Sequence, residues 1–272
     1  NTVKNAGSNG INWGSSSAFG KVFRNVVKSP ASVGVFVYSG NPTVEGNTIE
    51  GAGGSGVKWS SSSSGGVYNN RITSPIGTGI VVSSGAPLVG NVFNPNTIEN
   101  AGGNGVTWES SASGVGVTGN VIKSPVNSGV SVSAGGPSID SNTIENAGKY
   151  GVVWTSSGSG GYVQRNIVKS PVLSGVSVSS GNPLVKSNTI ENALEHGIRW
   201  WSTRNSTVES NVVKTPKYRG ISIHAGDPVI KSNTIEGAGT DAIFLDTGVL
   251  TSTAVESNVV KGKVGCGINV NS

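Results

Sequence analysis

The 272-residue chain contains no methionine, one cysteine (Cys266), two histidines and only 12% charged residues. Lacking even an initiating methionine, it reads as a chain that has lost a leader or as part of a longer protein. A single cysteine cannot close an internal disulfide, and with no CxxC and no histidine in metal spacing it gives no metal site. No apolar run approaches the ~18 residues that a membrane span needs. The scarcity of charge excludes a coiled coil, and the 42 glycines follow no G-x-y period, which excludes collagen. The surface that remains, rich in Ser, Thr, Asn and Gly, suits a secreted or cell-surface location. Asn205-Ser206-Thr207 is the single glycosylation sequon, a motif short enough to arise by chance.

What the chain has in abundance is repetition. NTIENAGGNGVTW, from Asn96 to Trp108, returns as NTIENAGKYGVVW from Asn142 to Trp154, and again as NTIENALEHGIRWW from Asn188. Marking every such recurrence divides the chain into twelve units, starting at Asn1, Asn25, Asn47, Asn70, Asn96, Asn120, Asn142, Asn166, Asn188, Asn211, Asn233 and Asn258. Complete units run from 22 to 26 residues, each with three short Val/Ile segments separated by Gly, Ser, Pro and Asn turns. None has a helical period. Strands this short must pair between units rather than within them. The expected fold is therefore all-β, a parallel solenoid of about twelve coils with three strands per coil at roughly 4.8 Å per coil, a rod roughly 55 Å long formed by residues 1–272 as one domain. Asparagine opens all twelve units, and identical amides stacked along a rod can hydrogen-bond from coil to coil.

On these residues the chain resembles the right-handed parallel β-helix family, the pectate-lyase-like coils with an asparagine ladder, along its whole length. The resemblance implies the fold, but it implies no single activity, because the family holds lyases, hydrolases, epimerases, tailspikes, adhesins and non-catalytic surface proteins. The calcium-binding acidic clusters that it leads one to expect of pectate-lyase relatives are missing, so no metal and no cofactor is expected.

Coils of NTIE…GxxW type alternate with coils of NVVKSP…GVSVSSGxP type, and the fourth residues then run Lys28, Glu50, Thr73, Glu99, Lys123, Glu145, Lys169, Glu191, Lys214, Glu236, Lys261. Opposite charges on adjacent strands favour the correct register and penalise a slip of one coil. Trp13, Trp59, Trp108, Trp154 and Trp200 occupy one column, with Val37, Val82, Val132 and Val178 between them. Strand alternation points them into the core; were the strand to end earlier, they would form an exposed aromatic stripe with a spacing of roughly 10 Å.

The pattern stops being bland in the coils from Asn188, Asn211 and Asn233. Their twelfth and fourteenth residues, outward by alternation, are Arg199 and Trp201, Ser222 and His224, Phe244 and Asp246, where earlier coils carry mainly Ser, Thr or Val. The ninth-residue column adds His196, Arg219 and Asp241, with Tyr218 alongside. Residues 142–232 hold ten Lys/Arg and five Asp/Glu against nine of each elsewhere, so the net +5 lies here. There is no clustered basic run and no nucleic-acid motif. Three readings follow. In the first, Arg199, Trp201, Arg219, His196 and Phe244 bind an acidic polysaccharide, with Arg as a fork for carboxylate and the aromatics as stacking surfaces. In the second, His224 is a general base oriented by Asp246, Tyr218 is the acid, and Arg199 or Arg219 neutralises a uronate, which gives lyase or epimerase chemistry. In the third, the patch is surface decoration. Asp241 and Asp246 are not a glycosidase pair, since five residues of strand separate them by about 16 Å.

The leading expectation is an extracellular or cell-surface structural or adhesive rod, with a polysaccharide-active enzyme as the alternative. The coils lack the long loops that wall a cleft, and the one clear insertion lies near Asn91 to Pro95. Asn1 opens a Trp-type coil and Asn258 a Lys-type coil, so end-to-end stacking would continue the ladder into a filament, with Lys4 against Lys28 and Lys261 as the opposing charge term.

Overall fold

A computed structural model describes residues 1–16, 20–246, 253–262 and 265–271. Among these residues every strand belongs to one of three parallel sheets, of 12, 12 and 11 strands, in which each strand pairs with its counterparts one coil before and one coil after. A representative coil runs Thr143–Glu145, Val152–Trp154 and Tyr162–Gln164. The fold is the expected parallel β-helix.

Most strands are three residues long and bury one or two of them. In the first sheet the middle residue points inward (Ile98, Ile122, Ile144, Val168), and in the second the outer two do (Val106 and Trp108, Val130 and Val132); all are fully buried. The turns are written into the sequence as positive φ. The residue after each first-sheet strand is left-handed, as in Asn100 (φ 54°), Ser124 (φ 51°), Asn146 (φ 54°) and Ser170 (φ 51°). That conformation costs an L-residue roughly 1–2 kcal/mol, less for Asn and Gly, so only Asn, Ser, Thr or Gly follow the repeated TIE and VVK. The residue before most ladder asparagines is left-handed too, including Ser141, Arg165 and Ser187.

The asparagine column is a ladder in full. Every Nδ2 donates to the Oδ1 of the asparagine in the next coil at 2.8–3.0 Å, from Asn1 through to Asn258. The same Oδ1 also accepts a backbone N–H, as Asn142 does from Asn120 N at 2.9 Å, while Asn142 Nδ2 donates again to the carbonyl of Val117. Asn96, Asn120, Asn142, Asn166 and Asn188 are 0% exposed, so these amides have exchanged all their water for one another.

The tryptophans form a core column and not a surface stripe. Trp59, Trp108, Trp154 and Trp200 are fully buried, in register with Val82, Val132 and Val178. Each indole donates to the serine carbonyl two residues on, at Ser61, Ser110, Ser156 and Ser202. Those serine hydroxyls in turn donate to the carbonyls of Gly40, Gly85, Gly135 and Gly181 in the preceding coil of the other type. These glycines are left-handed, and a Cβ on Gly85 would stand 2.3 Å from the carbonyl oxygen of Ser61, so no other residue fits. The WSS of one coil type and the SSG of the other are thus two halves of one joint.

The charge column pairs as its order requires: Lys28 with Glu50 at 2.9 Å, Lys214 with Glu191 at 3.0 Å and, more loosely, Lys169 with Glu145 at 3.7 Å. The coil that carries uncharged Thr73 supplies Arg71 two residues earlier, and its guanidinium reaches Glu99 at 2.8 Å. Lys4 lies opposite Lys28, the one like-charge pair in the column. These pairs are exposed and each contributes little. The insertion is a small turn in which Asn91 Oδ1 accepts from Phe93 N and Asn94 N at 2.9 Å, and it walls no groove.

Asn142→Ala removes the acceptor of Asn120 and the donor to Val117 from a sealed interior. A loss of roughly 3 kcal/mol is expected, against less than about 0.5 kcal/mol for the outward Thr143→Ala. Denaturant unfolding compares the two, and equal midpoints would show that the ladder is not a stabilising element.

Candidate functional site

The second sheet brings the three unusual coils together on its outer face. Arg199 is in register with Ser222, and Ser222 with Phe244. Just beyond the strand ends, Trp201 and His224 stack in parallel, with ring centroids 4.2 Å apart and planes 6° from parallel. The next residue in that column, Asp246, places Oδ2 4.0 Å from His224 Nδ1. Six of the eight expected site residues, Arg199, Trp201, Arg219, His224, Phe244 and Asp246, form the centre of this group, and His196 and Tyr218 join it at one edge.

Two arginines organise it. Arg219 Nε lies 3.4 Å from Asp241 Oδ2, which also accepts from Asn269 Nδ2 at 3.2 Å. The Arg219 guanidinium carbon sits 3.4 Å above the Phe244 ring, and Nη1 donates to Ser222 Oγ at 3.4 Å. This alters the roles expected of the ring and the cation. Phe244 is only 6% exposed, a covered floor for Arg219 and not an open stacking surface. Its twelfth-position side chain does point away from the core, but neighbouring long side chains close over it.

Arg199 is different. Its guanidinium carbon lies 5.1 Å over the Trp201 ring. It has no carboxylate within ion-pair distance among the described residues, and its Nε is a buried donor with no acceptor. Buried donors without partners are rare because desolvation costs about 1–3 kcal/mol. Trp201, by contrast, is 44% exposed, with one face against His224.

His196 and Tyr218 stand at the margin. Their rings are 6.0 Å apart and tilted, Tyr218 is exposed beneath Lys217, and His196 Nδ1 accepts from Arg219 N at 3.3 Å. Tyr218 thus joins the patch through His196.

Both imidazoles are held neutral. Burial, then Arg219 and Arg199, lower His196 from 6.5 to about 4. Burial, then the same two arginines, lower His224, with Asp246 opposing. His224 Nε2 lies 2.9 Å from the Ser222 hydroxyl and Nδ1 4.0 Å from Asp246 Oδ2; in the tautomer protonated on Nδ1, the nitrogen nearer the carboxylate, Nε2 accepts from that hydroxyl. Ser222 was visible in sequence only as a small residue two before His224. Its contact with the imidazole is the part of the site that strand alternation could place but not value.

The sequence pattern of the right handed beta helix region family matches residues 1–140 and 129–272, so that the two matches together span the chain. With three stacked parallel sheets and an asparagine ladder already in place, the chain belongs to the right-handed β-helix family. No curated protein and no solved structure matches it. Among the described residues no His/Cys/Asp/Glu group could hold a metal ion, and no helix is long and apolar enough to cross a membrane.

Because both histidines are depressed, the unfolded chain takes up protons first as pH falls. The stability they confer is complete above pH 6.5 and lost toward pH 4. NMR titration should give His196 a midpoint near 4 and His224 one below 6.5. A midpoint at or above the free-histidine value for either ring would mean that it is solvated or governed by Asp246.

Proposed function

We propose that the protein is an extracellular or cell-surface structural rod that binds an acidic polysaccharide on the face formed by Arg199, Trp201, Arg219, His196 and His224. The observation that carries this is Arg199, whose guanidinium has no carboxylate partner and whose buried Nε has no acceptor among the described residues, set against a half-exposed tryptophan. A sugar carboxylate would satisfy the guanidinium while the pyranose ring packs on Trp201. The neutral histidines suit a ligand that brings its own charge. Among the described residues the sheet face carries no loop walls, which fits a polymer lying across it better than a small molecule enclosed by it. Stacked end to end, such rods would present the patch repeatedly along a fibre, and multivalency would raise retention on a polymer without new contacts.

Proton abstraction by His224 is the weaker reading. Its Nε2 is occupied by the Ser222 hydroxyl and its Nδ1 faces Asp246, so neither nitrogen is open toward a sugar carbon.

Arg199→Ala and Trp201→Ala should each weaken retention on a uronate polymer by about tenfold, equivalent to about 1.4 kcal/mol, with little change in melting temperature. A neutral glucan serves as the control. Equal retention of both variants and the wild-type protein across a panel of acidic glycans would refute the assignment.

A further inference from the structure

We propose that Ser222, His224 and Asp246 form a nucleophilic relay that hydrolyses an ester borne by an anionic sugar. The choice of substrate rests on the acidic-glycan reading; the relay itself does not. Two adjacent coils supply the relay, Ser222 and His224 from the coil that starts at Asn211 and Asp246 from the one that starts at Asn233. Ser222 Oγ lies 2.9 Å from His224 Nε2, and His224 Nδ1 faces Asp246 Oδ2 at 4.0 Å; the imidazole protonated on Nδ1 lets the hydroxyl donate to Nε2. A hydroxyl hydrogen-bonded to a neutral imidazole whose other nitrogen faces a carboxylate is the arrangement that activates an alcohol. The His–Asp distance is longer than a hydrogen bond, as is common before substrate closes a site. The stacked Trp201 ring holds the imidazole plane from one side. A further donor is already present: the unsatisfied Arg199 Nε belongs to the residue in register with Ser222, where an oxyanion formed next to Oγ would need an N–H.

In the reaction, Ser222 Oγ attacks the ester carbonyl carbon while its proton passes to His224 Nε2 and the carbonyl electron pair moves onto oxygen beside Arg199. Collapse breaks the bond to the sugar oxygen, which leaves with the proton from His224. Water then attacks the acyl-serine, giving its proton to His224, and Ser222 regains that proton as the carboxylic acid departs. The sum is ester plus water giving acid plus alcohol, with no oxidant or cofactor.

Ser222 is 0% exposed, and the group donating to its hydroxyl from outside is the Arg219 guanidinium, which rests on Asp241 and Phe244. Arg219 therefore acts as a cover. A substrate carboxylate competes with Asp241 for it, and that competition confines reaction to esters that carry an anion.

The test is labelling by a small fluorophosphonate, followed by peptide mapping, on protein whose fold is checked by circular dichroism. Arg219→Ala, which uncovers the hydroxyl, should label faster than wild type and at Ser222 alone. The label should be absent in Arg219→Ala/Ser222→Ala and at least about 100-fold slower in Arg219→Ala/His224→Ala. Wild type should release acetate from an O-acetylated uronan. Absence of label at Ser222 in folded Arg219→Ala, or a rate indifferent to His224→Ala, overturns the relay. Uronan binding without labelling also overturns it while leaving the glycan assignment standing. Labelling without uronan binding supports the relay and overturns the glycan assignment.

Discussion

The structure depends on a column of buried amides that can be satisfied only by one another. Each interior ladder asparagine, from Asn47 to Asn233, uses its oxygen twice and its nitrogen at least twice, as Asn142 does with partners in the coils above and below. Asparagine is the only side chain of that length offering an acceptor and two donors in one plane. Aspartate would bring uncompensated charge into a stack without water, and alanine would leave each neighbour short. The ladder also fixes the turn from third sheet to first, so the three sheets keep one angular setting along the rod. Everything on the outer faces inherits its position from that column.

The same constancy explains how a site can arise on so plain a scaffold. Outward residues twelve and fourteen do not contribute to the core, so they are free to vary provided that their strands stay in register. In three successive coils they become Arg199 and Trp201, Ser222 and His224, Phe244 and Asp246, and stacking sets side chains from different coils within hydrogen-bonding or ring-contact distance. No loop has to be invented. The unsatisfied Arg199 Nε and the depressed histidines are the energetic cost of packing these groups together on a face that was otherwise Ser and Thr.

The fold was legible because the determining interactions repeat. Twelve asparagines at one position, alternating Lys and Glu, and tryptophans two residues past an inward Val or Ile each point to a stacked column, and the register places all three as read. The turns were less legible: Ser124, Ser170 and Arg165 carry positive φ, which the turn preferences of single residues do not announce. At the site, alternation gave the correct column for every residue but not its depth. Phe244 and Ser222 point away from the core and yet are covered, since burial there is decided by where long neighbouring arginines fold back. The ring contact of Tyr218 with His196 follows from the ninth-residue column beside which Tyr218 stands.

The joint between the tryptophan of one coil type and the left-handed glycine of the other bears on how such a chain can change length. Asn96 to Asn142 and Asn142 to Asn188 are each 46 residues, a pair of coils. Removing one coil would set tryptophan against tryptophan, strand a serine hydroxyl without its glycine carbonyl and place glutamate on glutamate. Removing two keeps the tryptophan, glycine and charge columns in phase. The unit of length that this joint tolerates is therefore the pair, and a change by an even number of coils leaves it whole.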